Sequence, residues 1–245
     1  MNAIKKLWML ALLLTAVPAV AVASSGGFHL DKAPIDLEDK VSLQRGAKLF
    51  TSYCLSCHSA SYMRYNRLMD IGMSEEQIKK DLLLPEGAKL GYTMQAAMGK
   101  EAAKQVYGVA PMDLSVIARS RSPDWLYTYM RSFYVDSSRP SGWNNAIFPN
   151  VGMPHILAEL QGEQKLEVQA NEGHEVSKLV LDKPGSIGAA EYDAAIADLT
   201  NYLVFMSEPA KLVRHKIGFI VLGFLFILLA LTYALKKEIW KNMRH

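Results

Sequence analysis

The sequence predicts a mainly α-helical domain with long loops and little strand, carried on one C-terminal membrane helix. Three observations support this. Apolar residues recur at helical spacing in two stretches, near residues 42–54 and 190–206. A run of nineteen residues at 217–235 carries no charge. The only two cysteines of the chain stand together at the end of the first helical stretch, in Cys54-Leu55-Ser56-Cys57-His58.

Taken in order, the chain opens with an export signal. Lys5 and Lys6 form a short basic region, residues 7–14 an apolar core, and Pro18 breaks the run ahead of Ala21-Val22-Ala23. That small-x-small pattern predicts cleavage after Ala23, so that residues 1–23 are removed; the alternative is an uncleaved anchor, for which the apolar run before Pro18 is short. A helix then starts near Ser42, with Leu43, Ala47, Phe50 and Cys54 on one face. Gly46 interrupts it at a cost of about 1 kcal/mol relative to alanine, which close approach of a second helix would explain. The best partner is the stretch 190–206, with Tyr192, Ile196, Leu199 and Leu203 on one stripe and Glu208-Pro209 ending it. Between them, residues 74–84 read as a short helix with Glu75 and Glu76 in its first turn, and residues 123–133 as another with Trp125, Tyr129 and Phe133 in line. Residues 134–155 read as loop, and 163–182 as a small hairpin.

The run 217–235 has Lys211, Arg214 and Lys216 before it and Lys236, Lys237, Lys241 and Arg244 after it. At about 1.5 Å per residue it spans a hydrocarbon core. The flanking charges are too evenly matched to orient it, so the signal decides: residues 24–210 form an exported, periplasmic domain, 211–235 the juxtamembrane segment and span, and 236–245 a basic cytoplasmic tail.

Cys-x-x-Cys-His is the attachment pattern for a c-type haem. Two thiols three residues apart each bond one vinyl group, and the adjacent imidazole becomes an axial ligand of the iron. A tetrahedral zinc site needs two further ligands that no other cysteine supplies. A thioredoxin-like pair does not require the histidine, and no strand pattern leads into the motif. One covalent haem is therefore expected, held by Cys54 and Cys57, with His58 on the iron.

The second axial ligand decides the chemistry. A methionine favours a high potential and electron transfer, a second histidine a lower one, and an open position permits binding or catalysis. Met63, Met69 and Met73 follow His58 too closely to cross to the other face, and Met130 and Met206 fit helix faces. Met112, after Pro111, and Met153, between Gly152 and Pro154, lie on apparent loops, with His155 a further contender and an open position the remaining alternative. Flanking Gly and Pro favour Met153 by permitting and then fixing a close approach.

Residues 24–207 carry 18 Lys and Arg against 22 Asp and Glu, so the basic excess of the whole chain belongs to the signal and the membrane flanks. The exported part shows no basic stripe for nucleic acid. Its mild acidity suits a basic protein partner, or simply a soluble surface.

Several segments taken together resemble the cytochrome c1 family. Gly46 to Tyr65 resembles the family's haem-attachment region. Ala110-Pro111-Met112-Asp113-Leu114-Ser115, followed by Arg119 and Arg121, resembles its Pro-x-Asp-Leu-Ser segment. Residues 145–154 resemble the loop bearing its axial methionine, and Glu208-Pro209, Gly218 and a single C-terminal span complete the order. The resemblance implies Met153 as second axial ligand, Arg121 beside a haem propionate, and Pro111 on the proximal side, its carbonyl accepting the His58 ring N–H. Where the family often has a second proline, this chain has Met112. The function implied is that of the haem c subunit of a ubiquinol–cytochrome c reductase complex. Such a subunit is no enzyme alone; it relays single electrons from a Rieske iron–sulfur protein to a cytochrome c, beside cytochrome b in a dimeric inner-membrane complex. Two other readings remain: a stand-alone membrane-anchored cytochrome c serving a terminal oxidase or reaction centre, and an open-site haem enzyme or gas sensor.

Overall fold

The computed structural model describes residues 29–82, 87, 89–171 and 174–241. The export signal and the last four residues of the basic tail lie outside the described residues.

The Asp39 carboxylate accepts from Ser42 N at 2.9 Å and caps α1 (Lys40–Leu49), which starts two residues before the position read from periodicity. The helix widens into a π-helical turn, Phe50–Cys54, and the Cys54 carbonyl then accepts from both Cys57 N (3.1 Å) and His58 N (2.8 Å). This tight sequence of turns holds the two thiols and the imidazole together. There follow β1 (Ala60–Arg64), a 3₁₀ turn (Tyr65–Ile71) and α2 (Glu75–Asp81). A reciprocal Ser74–Gln77 capping box starts α2, within the expected 74–84, of which residues 83 and 84 lie outside the described residues. Strand β2 (Thr93–Met94) pairs antiparallel with β1. Next come α3 (Lys100–Tyr107), which the sequence reading did not anticipate, α4 (Ile117–Arg121) and α5 (Pro123–Arg131).

Two expectations for the middle of the chain need correction. The helix read as 123–133 stops at Arg131, and Phe133 opens β3 (Phe133–Val135), paired antiparallel with β4 (Trp143–Asn145) inside the stretch read as loop. The Ser132 hydroxyl bonds the Thr128 carbonyl at 2.6 Å and Asn145 Nδ2 takes the Tyr129 carbonyl at 2.8 Å, so side chains satisfy the helix end that another turn would have satisfied. A four-residue helix α6 (Ala158–Gln161) leads into the expected hairpin, β5 (Gly162–Asn171) against β6 (His174–Pro184). The chain closes with α7 (Ala189–Ser207) and α8 (Lys211–Lys241).

The fold is mainly α, as expected, and its core is the crossing of α1 and α7. Leu43 and Ala47 from α1 and Phe50 from the π-helical turn meet Tyr192, Ile196, Leu199, Tyr202 and Leu203 from α7, all buried. A Cβ on Gly46 would lie 2.1 Å from the Asp198 carbonyl oxygen and 2.7 Å from Tyr202 Cβ, so glycine permits the close helix contact predicted for it. Arg45 grips Asp198 through Nε (2.5 Å) and a second nitrogen (2.9 Å) beside that contact. Residues Ile217–Lys241 of α8 are long and apolar enough to cross a membrane, and the helix buries none of that segment against the domain.

Candidate haem site

The π-helical turn with the residues after it, the segment 109–114 and the loop at 148–154 together line an apolar cleft. The cleft comprises two adjoining cavities of about 290 and 80 Å³, and Cys54, His58, Pro111, Gly152 and Met153 border both. Cys54 and Cys57 are free thiols. Burial pushes the Cys54 thiol up to about 12, which leaves it protonated and chemically quiet as a bare side chain.

His58 is fixed by its Nδ1. That nitrogen donates to a backbone carbonyl at 2.8 Å, and the carbonyl is that of Met112, one residue beyond the Pro111 carbonyl that the family resemblance implied. The hydrogen bonds of the following residues explain the register. The Asp113 carboxylate accepts from Ser61 N (3.0 Å), Ser115 N (2.8 Å) and Ser115 Oγ (2.5 Å), Leu114 N donates to Ser59 O at 2.8 Å, and Tyr62 N donates to Ser115 Oγ at 3.0 Å. Stitched to residues 59–62 in this way, the segment presents carbonyl 112 to the ring, while Pro111 lines the cleft. Burial lowers the His58 pKa, with the Met112 carbonyl and the Asp113 charge opposing it, so the ring is neutral and Nε2 is left as a metal ligand. The Met112 side chain is half exposed, on a residue whose backbone is tied to the His58 side.

Met153 sits in a loop built by two asparagines. Asn145 Oδ1 accepts from Ile147 N (3.1 Å) and Phe148 N (3.2 Å), and Asn144 Oδ1 from Asn150 N (2.9 Å). Asn150 adopts a positive φ of 64°, which asparagine tolerates. A Cβ on Gly152 would lie 2.9 Å from Val109 Cγ1, so the bare backbone allows the two segments to approach closely at the cleft. The Met153 sulfur accepts the Tyr129 hydroxyl at 3.6 Å.

Arg121 borders the larger cavity with its guanidinium 5.2 Å from the Trp125 ring centre and 5.7 Å from that of Phe148. Trp125 in turn stacks on Tyr129 at 4.7 Å. His155, the further contender for the iron, is buried, stacked 4.8 Å from Phe133 and edge-on to Trp143 at 5.1 Å, and does not border the cleft. Burial brings its pKa down to about 4, with Gln161 opposing the shift.

The six residues named from the motif and the family resemblance, Cys54, Cys57, His58, Arg121, Pro111 and Met153, all border this cleft. Sequence reasoning missed Tyr129, Asn144 and Asn145. Tyr129 was read only as part of a helix stripe. The adjacent pair Asn144-Asn145 was the available signal, since asparagine side chains serve loop backbones well. The donor set fits a haem c: paired thiols, an imidazole, a thioether and a guanidinium line one cleft together with apolar Leu114, Ile117, Leu126, Leu199 and Leu203. Among the described residues no group of three or more His, Cys, Asp or Glu could hold a bare metal ion instead.

Comparison with known proteins agrees with this donor set. The model of the cytochrome C1 family matches residues 31–82 and 185–243, the two segments that carry the helix crossing and the attachment motif. A cytochrome c1 of Allochromatium vinosum is 47% identical over 96% of this chain and 98% of its own length. The chain belongs to the cytochrome c1 family. A protein of Nitrosomonas europaea named ammonia monooxygenase gamma subunit is 53% identical over 97% of the chain and 98% of its own length, and a Rhodospirillum rubrum cytochrome c1 is 28% identical over 99% and 98%. Cytochrome c1 is the haem-bearing, electron-transferring subunit of the bc1 complex, and the apolar helix α8 fits a membrane-anchored member.

Proposed function

We propose that this chain is the electron relay of a quinol–cytochrome c reductase, taking single electrons from a Rieske iron–sulfur protein and passing them to a cytochrome c. The observation that supports the proposal is that Cys54, Cys57, His58 and Met153 all line one apolar cleft. Bound haem supplies a one-electron ferric/ferrous couple. Cys54 and Cys57 hold it by thioether bonds. His58 Nε2 and Met153 Sδ would be the two protein ligands of its iron. A neutral imidazole and an uncharged thioether favour the ferrous form, and the apolar walls, by excluding water, do the same. Arg121 offsets a propionate charge by a charge-assisted contact.

The Met112 carbonyl keeps Nδ1 protonated and the ring oriented, which leaves Nε2 available as the ligand a haem iron would take. Exposed Val109, Met112 and Phe148 around the cleft mouth give partner proteins an apolar rim to dock against. Export by the N-terminal signal sets the domain in the periplasm, and α8 keeps it in the inner membrane beside cytochrome b, with the basic tail in the cytoplasm.

Purification of the native membrane protein in mild detergent tests this. The expected result is co-purification in fixed ratio with a b-type cytochrome and an iron–sulfur protein, and quinol-dependent reduction of cytochrome c by the mixture. Recovery of the chain alone would favour a stand-alone cytochrome. Recovery with an ammonia-oxidising enzyme, the assembly named for the Nitrosomonas relative, would overturn the assignment.

A further inference from the structure

We propose that Tyr129 is the positioning and tuning residue of the Met153 sulfur: its hydroxyl, 3.6 Å away, donates to the thioether and holds the iron at a higher potential than the bare ligand pair would. The inference rests on Met153 being an axial ligand, as proposed above, and adds a residue that the family resemblance did not bring to the site.

Three features of the fold aim the hydroxyl. Tyr129 lies in the last turns of α5 with its ring clamped, stacked on Trp125 (centres 4.7 Å, planes 12° apart) and edge-on to Phe133 at 5.1 Å. Its own carbonyl is held by Asn145 Nδ2 at 2.8 Å, and Asn145 Oδ1 holds the backbone of Ile147 and Phe148 in the loop that carries Met153. One buried asparagine therefore ties donor helix and acceptor loop in a single register. The ring is almost wholly buried, and Tyr129 and Met153 border the same larger cavity, which places the contact at the cofactor.

The direction of the effect follows from charge. A phenol O–H presents its positive end to the sulfur and draws electron density from the lone pairs that bind iron. The ferric ion depends on that donation more than the ferrous ion does, and its extra positive charge is opposed by the dipole. Losing the hydroxyl then favours oxidised iron. Held in one rotamer, the hydroxyl also restricts the flexible thioether, which otherwise has many rotamers to explore.

The test uses the full membrane-bound chain with its haem attached, as wild type, Tyr129→Phe, Tyr129→Leu and Met153→Leu. Midpoint potential and the methionine-to-ferric-iron charge-transfer band are read on each. Tyr129→Phe keeps the ring and is expected to keep the band, while shifting the oxidised-to-reduced ratio at fixed potential toward ferric by up to about tenfold, which is 59 mV for one electron. Tyr129→Leu is expected to shift it at least as far. An unchanged potential in Tyr129→Phe with the band intact overturns the proposal and leaves Met153 ligation standing. A fall in Tyr129→Leu alone assigns the effect to ring packing and also overturns it. Wild-type-like spectra and potential in Met153→Leu remove the ligand itself, and this proposal with it.

Discussion

Replacing Gly46 by alanine should loosen the crossing that carries the haem-binding turn. The added Cβ would sit 2.1 Å from the Asp198 carbonyl oxygen and 2.7 Å from Tyr202 Cβ, far inside the 3.4 Å at which ordinary contact begins. Neither neighbour is the free end of a flexible side chain: one is helix backbone and the other the first atom of a fully buried tyrosine. Relief therefore requires α1 and α7 to separate, which opens the packing of Leu43, Phe50 and Tyr202 and stretches the Arg45–Asp198 pair. Overpacking of this kind costs about 1–3 kcal/mol and occasionally more. The gain in helix propensity, about 1 kcal/mol, offsets only part of it. At the upper end of that range the net loss is about 2 kcal/mol, a fall in Tm of roughly 4–8 °C for a domain of this size. Thermal unfolding of the haem-loaded protein, followed at the Soret band and by far-UV circular dichroism, measures it. A Tm equal to or above wild type would refute the claim that helix contact dictates glycine here.

Other outcomes follow from the same contacts. Met112→Leu should leave the haem spectrum and potential at wild-type values, because its carbonyl rather than its half-exposed side chain meets His58; loss of the methionine–iron band would show a misassigned ligand. Asn145→Ala strips three hydrogen bonds from a fully buried position and should cost about 1–3 kcal/mol or more in denaturant unfolding, with broader methionine–iron spectral features as the loop loosens; a change under about 0.5 kcal/mol would contradict it. His155 has a folded pKa of about 4, below its unfolded value near 6.5, so the unfolded chain binds the proton first and stability falls as pH drops from about 6.5 to 4. That amounts to about 2 kcal/mol between pH 7 and pH 5. His155→Leu should flatten this part of the stability–pH curve, and an unaltered slope would refute the assignment.

The helix crossing was legible because its cause is local to the two stripes: apolar residues recur every three to four positions, and a glycine marks where they touch. The attachment motif was legible because thioether chemistry fixes both spacing and residue types. Other features depended on pairings between distant segments. Phe133 continues the Trp125–Tyr129 stripe as well as any helical residue would, and only its pairing with Asn145 makes it a strand. The stripe also hid Tyr129, whose ring packs in the core while its hydroxyl reaches Met153. His155 follows a Gly-Met-Pro turn and reads as a further contender for the iron; Phe133 and Trp143, brought together by a two-stranded sheet, bury it. The one-residue difference between Pro111 and Met112 is set by how Asp113 hydrogen-bonds to residues 61 and 115, a register that no pattern in the segment itself discloses.

The central claim is that His58 and Met153 close both axial positions and leave the iron only electrons to exchange. Adding carbon monoxide to the chemically reduced, native membrane protein tests it most directly. The account predicts an optical spectrum unchanged by the gas. Rapid conversion to the carbon monoxide form would contradict it and point to an open iron position.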